Sequence, residues 1–174
     1  MSIEPKDTAL CLAAAKIVVV DDGRNMRKVV RAILLGIGVT EVHEARDGTA
    51  GLELIRKINP NVVILDWQVP GMDGATFIRK VRSPGSFPFP DVPIIILTGH
   101  GERSRVVEAI KLGVNEFMLS PVSAKALQDR LISVLTEPRE VVQSGSYYGP
   151  VPRKLAPSID ADSDASIAKL AILD

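Results

Sequence analysis

The chain has 174 residues, 46% of them hydrophobic but only 4% aromatic, and its 21 Lys plus Arg balance 21 Asp plus Glu. Zero net charge excludes a global basic field for nucleic acid or an anionic membrane, and the lone Cys11 excludes an intrachain disulfide. The length suits one domain with an appendage, and an aliphatic core leans towards α/β.

The opening stretch, MSIEPKDTALCLAAAK, carries acids where a secretory signal needs bases, and its apolar patch is too short to span a bilayer. Residues 1–15 are therefore expected to be an N-terminal extension, and the protein to be cytoplasmic with no membrane insertion. KIVVVDD follows, an apolar run of the kind buried on both faces of a parallel sheet, ending in Asp21 and Asp22. Two adjacent carboxylates could be a solvated strand end or a helix cap.

Met26, Val29, Val30, Ile33 and Leu34 then repeat at helical spacing, with Asn25 as a cap and Gly36 or Gly38 as a stop. EVHEA is a short strand and DGTAGLELIRKI a helix. NVVILD repeats the first pattern, an apolar strand ending in Asp66, and GATFIRKVR is a third helix. After a Pro/Gly/Ser-rich loop, IIIL forms a fourth strand ending at Thr98. A helix with Val106 and Ile110 inward, the strand EFML and a helix capped by Ser123 complete the series. Strand–helix alternation across residues 16–136 predicts a flavodoxin-like (βα)5 fold, a doubly wound parallel sheet in strand order 2-1-3-4-5. From Glu137 the composition turns to Pro, Ser, Gly and Asp, so residues 137–174 are expected to be a flexible tail with a short terminal helix at IAKLAIL. Deleting residues 145–174 is expected to leave the fold and its melting temperature nearly unchanged.

In such a sheet the carboxyl ends of the strands share one edge. Asp21, Asp22, Asp66 and Thr98 therefore converge, and three carboxylates on one rim call for a hard cation; Mg²⁺ fits. A phosphate-binding loop is absent, and the position two past Asp66 is Gln68 rather than a second acid. A Mg²⁺-dependent phosphoester hydrolase is disfavoured on that ground.

The stretches VVVDDGRNMRKVVRAIL, EARDG, VVILDWQVPGMDG and IIILTGHG resemble the receiver domain of bacterial two-component response regulators, closest to the stand-alone chemotaxis type. The resemblance implies that Asp66 accepts a phosphoryl group from a phosphohistidine, borne by a histidine kinase or a histidine phosphotransfer protein. It implies Mg²⁺ held by Asp21, Asp22, Asp66 and the Gln68 carbonyl. Thr98 would hydrogen-bond the phosphoryl group, and Phe117 stands at the place of a switching aromatic. The protein would then signal by binding an unidentified downstream protein, and would not be an enzyme beyond slow self-dephosphorylation. His100 takes a position that tunes phosphate lifetime, or is a plain loop histidine; Trp67 is a packing or rim residue. SYYGPVPRK resembles a Tyr-x-Gly-Pro-basic tail of some stand-alone receivers, or is a solvated linker.

One departure stands out. Ser120 occupies the place of the family's usual lysine before Pro121, removing a charge-assisted contact worth ~1.5–3 kcal/mol. Lys125 or Arg24 could substitute for it. The alternative is a pseudo-receiver, an interaction module that works without phosphate.

Overall fold

The computed structural model describes residues 4–152. Its elements run α1 (Pro5–Ala14), β1 (Lys16–Val20), α2 (Arg24–Gly36), β2 (Glu41–Ala45), α3 (Gly48–Ile58), β3 (Val62–Leu65) and α4 (Gly74–Val81). They continue β4 (Ile94–Thr98), α5 (Arg103–Leu112), β5 (Glu116–Leu119), α6 (Ala124–Thr136), β6 (Val141–Ser144) and β7 (Tyr147–Pro150). β1 to β5 form one parallel sheet in the order β2-β1-β3-β4-β5, as the sequence pattern predicts.

The apolar runs are buried on both faces because the pleat sends alternate residues to opposite layers. Val18, Val20, Val63, Leu65, Ile94 and Ile96 face the layer of α3, α4 and α5. Ile17, Val19, Val62, Ile64, Ile95 and Leu97 face the layer of α1, α2 and α6. Helix starts follow local chemistry: Asp47, Asp73 and Ser123 each accept a backbone N–H three residues on, at 2.7–3.1 Å.

Three expectations need correction, and the N-terminal extension gains a detail. Residues 1–15 contain a helix, α1, with Pro5 in its first turn; its one buried residue, Leu12, is too little to write an amphipathic stripe. The start of α2 is capped by Gly23, not Asn25, since the Asp21 carboxylate draws in the Gly23 N–H at 2.7 Å and the chain turns helical at once. Val29 is 54% exposed, because the buried stripe of α2 is centred on Val30 and Leu34.

The third correction concerns the segment after Glu137, where residues 141–150 form an antiparallel hairpin, β6–β7, instead of continuing irregularly. Its two-residue Gly145-Ser146 loop, with Gly145 at φ 58°, is ordinary hairpin chemistry. The hairpin seats against the end of α5. Tyr148 donates its hydroxyl to Asp91, and Arg139 donates to the carbonyls of Asn115 and Val151. Gly113, at φ 99°, lets the hairpin come close: a Cβ there would stand 2.7 Å from the Tyr148 carbonyl oxygen. The IAKLAIL run lies outside the described residues.

Around Arg82, at the end of α4, the amino edge of the sheet is tied together. Its guanidinium donates to the carbonyls of Gly113 (2.9 Å), Pro90 (2.7 Å) and Val92 (2.6 Å) and to Asn115 Oδ1 (3.1 Å). These acceptors span the long loop before β4 and the turn before β5.

Candidate functional site

At the opposite, carboxyl edge, backbone hydrogen bonds carry the ladder past the strand ends. Asp21 N donates to the Ala45 carbonyl, Asp66 N to Val20 and Ser120 N to Thr98, at 2.8–3.0 Å. Those bonds place Asp21, Asp22 and Asp66 on one rim, where each offers a carboxylate oxygen and all three oxygens lie within 4.8 Å of one another. Such a cluster of hard oxygen donors fits a hard divalent cation.

The rim carries unrelieved negative charge. Asp21 is nearly buried, and desolvation pushes its carboxyl above the ordinary aspartate value; Asp66 and Asp22 push it further. The Gly23 N–H and Arg27 pull the other way without cancelling this. Arg27 does not sit among the acids as a counterion, since it donates to the Asp21 carbonyl oxygen at 2.7 Å and pairs with Glu44 at 3.4 Å.

Thr98, last residue of β4, is 2% exposed, and its hydroxyl accepts the His100 N–H at 3.3 Å. His100 itself is half exposed and lies 3.9 Å from Glu102. Phe117 is buried one layer beneath, in the cluster with α3, α4 and α5. Gln68 is exposed; its N–H faces Asp66 Oδ1 at 3.5 Å, and with Asp22, Val69, Pro70 and Asp73 it lines a shallow depression. Trp67 is a packing residue: it is 7% exposed, and its carbonyl accepts the Gly74 N–H at 2.9 Å. Asp73, beside the rim, is spent on capping α4, and its hydrogen bonds to Thr76 hold its carboxyl below the ordinary value.

Ser120 does not turn towards the acids; its hydroxyl meets Met26 Sδ at 3.9 Å. Neither substitute cation suggested by the sequence is engaged at the rim. Lys125 is 83% exposed and pairs with Asp129 at 3.1 Å, and Arg24 is exposed on the first turn of α2. Sequence patterns give little sign of Arg105 on α5, whose terminal guanidinium nitrogens face the Gln68 side-chain amide; with the amide oxygen assigned to that side, they donate to it at 3.1 and 3.3 Å. The one signal for it in the sequence is the Glu102/Arg105 pair at helical spacing, and that pair stands at 3.3 Å.

A doubly wound parallel sheet with an acidic rim at its carboxyl edge and a threonine on the neighbouring strand defines a flavodoxin-like α/β domain with its site at the strand ends. The family model for the response regulator receiver domain matches residues 17–132, and the chain belongs to this family. Chemotaxis protein CheY of Pseudomonas aeruginosa is 32% identical over 116 residues, 67% of this chain and 92% of that protein. Chemotaxis protein CheY1 of Helicobacter pylori is 36% identical over 121 residues, covering 69% and 96% of the two chains. Among solved structures, Vibrio cholerae chemotaxis protein CheY4 superposes with a TM-score of 0.62 at 30% identity, over 70% of this chain and 98% of that one. A receiver domain protein from Clostridium thermocellum gives 0.63 at 30% identity, over 70% and 94%. Helix α1 and the hairpin fall outside the matched residues. No helix among the described residues is long and apolar enough to cross a membrane.

Proposed function

We propose that the protein is a single-domain response regulator that takes a phosphoryl group onto Asp66 from a phosphohistidine of a histidine kinase or histidine phosphotransfer protein. The observation that carries this reading is the convergence of Asp21, Asp22 and Asp66 within 4.8 Å at the carboxyl edge. An Asp66 carboxylate oxygen attacks the phosphorus in line. An O–P bond forms as the N–P bond breaks, and that bond's electron pair returns to the imidazole nitrogen, which takes up a proton.

Asp21, Asp22 and Asp66, with the Gln68 carbonyl, would hold Mg²⁺, which when bound neutralises charge on the transferring oxygens. Asp21 and Asp22 orient the acceptor side of the rim, and Asp66 is the nucleophile. The Thr98 hydroxyl, nearly excluded from water, is the neutral donor for the new phosphoryl group. Beneath it, Phe117 would change its packing as the loop after β4 moves, and so carry the signal to the surface. A cytoplasmic location, a downstream protein partner and slow self-dephosphorylation in place of substrate turnover go with this reading.

Mass spectrometry after incubation with acetyl phosphate and Mg²⁺ tests it. The expected result is one added phosphoryl group on Asp66, absent from Asp66→Asn. Ser120, turned to Met26 and supplying no charge, favours a second reading as a phosphate-independent pseudo-receiver. An unmodified wild type under those conditions would establish that reading instead.

A further inference from the structure

With Ser120 in the lysine's place, a dianion formed on Asp66 needs a cation from elsewhere. The basic side chains around the rim differ in what holds them. Arg27 is fixed by a backbone carbonyl and by Glu44, and Lys125 pairs with Asp129 on an exposed face. Arg105 is held differently: its Nε stands 3.3 Å from the exposed carboxylate of Glu102, and its two terminal nitrogens face the neutral side-chain amide of Gln68, which accepts from them with its oxygen assigned to that side. Gln68 is two residues past Asp66, and its own N–H already faces the Asp66 carboxylate. The guanidinium thus waits at the mouth of the site with its terminal nitrogens on a neutral partner and only its Nε on a carboxylate, that of the exposed Glu102. A planar fork of donors suits phosphoryl oxygens far better than it suits one amide oxygen.

We infer that Arg105 supplies the missing cation: it leaves Gln68 and Glu102 and pairs with the phosphoryl group on Asp66. This rests on the phosphoacceptor reading above. The exchange also gives that phosphate something to move. Glu102 lies between Arg105 at 3.3 Å and His100 at 3.9 Å, so removing Arg105 frees the loop that joins Thr98 to α5. A contact made in one state and broken in the other is what shifts a two-state equilibrium. Arg105 therefore both binds the phosphoryl group and reports its presence to α5.

The test uses the full chain with Mg²⁺ and beryllofluoride, a mimic of the acyl phosphate, read by the fluorescence of Trp67, the only tryptophan and the neighbour of Asp66. Arg105→Ala is expected to weaken beryllofluoride binding about tenfold, as loss of one charge-assisted contact does. Arg105→Lys should fall between the two, and Ser120→Lys added to Arg105→Ala should restore binding. Mg²⁺ affinity without beryllofluoride should stay as in the wild type, since Arg105 is not a metal ligand. Binding by Arg105→Ala within about twofold of wild type, well under the effect of one such contact, overturns the inference. So does a loss that Ser120→Lys leaves unrepaired, which would make Arg105 a structural prop. Acetyl phosphate treatment of the wild type separates the two levels. If Asp66 takes no phosphoryl group, the phosphoacceptor reading fails and this inference with it; if it does, the fluorescence results judge Arg105 alone.

Discussion

Two charged groups are buried at opposite edges of the same sheet, and they are treated in opposite ways. At the amino edge, Arg82 has three carbonyl oxygens and the Asn115 side chain around it; burial brings its pKa down to about 10, so it stays charged at neutral pH. At the carboxyl edge, Asp21 has one N–H partner for its carboxylate and two like charges beside it. The first network is complete with the chain's own atoms. The second is relieved only by something added, a cation or a proton. Incomplete compensation of this kind is what separates a binding site from a structural buried charge.

The sharpest way to break that comparison is at Arg82. Arg82→Met keeps the volume but strands four acceptors, and is expected to cost about 3–5 kcal/mol in urea unfolding. A cost under about 1 kcal/mol would mean that water replaces the guanidinium and the network is not a closed one. Next in size is Gly113→Ala, which meets both a positive φ and the Tyr148 carbonyl; a loss of about 1–3 kcal/mol is expected. An unchanged melting curve would show that the hairpin does not seat on α5.

The carboxyl edge should respond with the opposite sign. Asp22→Asn is expected to weaken Mg²⁺ binding by about tenfold or more in calorimetry, while the metal-free protein becomes more stable. Equal Mg²⁺ affinities would remove Asp22 from the cation site. Asp21 adds a pH dependence: its folded pKa lies above the unfolded value of 3.8, so the folded state holds its proton more tightly. Without metal, stability from this group is therefore lost as pH rises from the unfolded pKa through the folded one. Asp21→Asn should flatten that part of the urea profile, and a slope identical to wild type would contradict the assignment. The smallest effect is at Tyr148→Phe, where an exposed hydroxyl leaves Asp91; about 0.5 kcal/mol is expected, and a loss of several would mark this bond as a main anchor of the hairpin.

What could be read in the sequence divides along the same lines. The five strands and the rim announce themselves because apolar runs and the acids that end them are local features of the chain. Asp21, Asp22, Asp66 and Thr98 needed only the rule that parallel strands share a carboxyl edge. Arg82 was silent, since nothing in GATFIRKVR distinguishes its one buried base from the exposed ones beside it. Helix α1 hangs on the single buried residue Leu12, and the hairpin hid its turn in a stretch whose composition suggested no order. Val29 shows the converse, a residue that fits the stripe by spacing and still faces solvent. Arg105 matters through Gln68, 37 positions away, a distance that no local pattern encodes.

Helix α5 is held unequally at its two ends. Its last turn runs into Gly113, which is clasped by Arg82 and covered by the hairpin, whereas its first turn is joined to the rim through Glu102, Arg105 and Gln68. A rod clamped at one end behaves as a lever with a fixed fulcrum. Ten residues of helix are about 15 Å long, so a tilt of roughly 10° about Gly113 swings the far end by about 2.5 Å. On the proposed reading the hairpin, remote from every carboxylate of the rim, would set the mechanical gain with which a small event at Asp66 is displayed along α5.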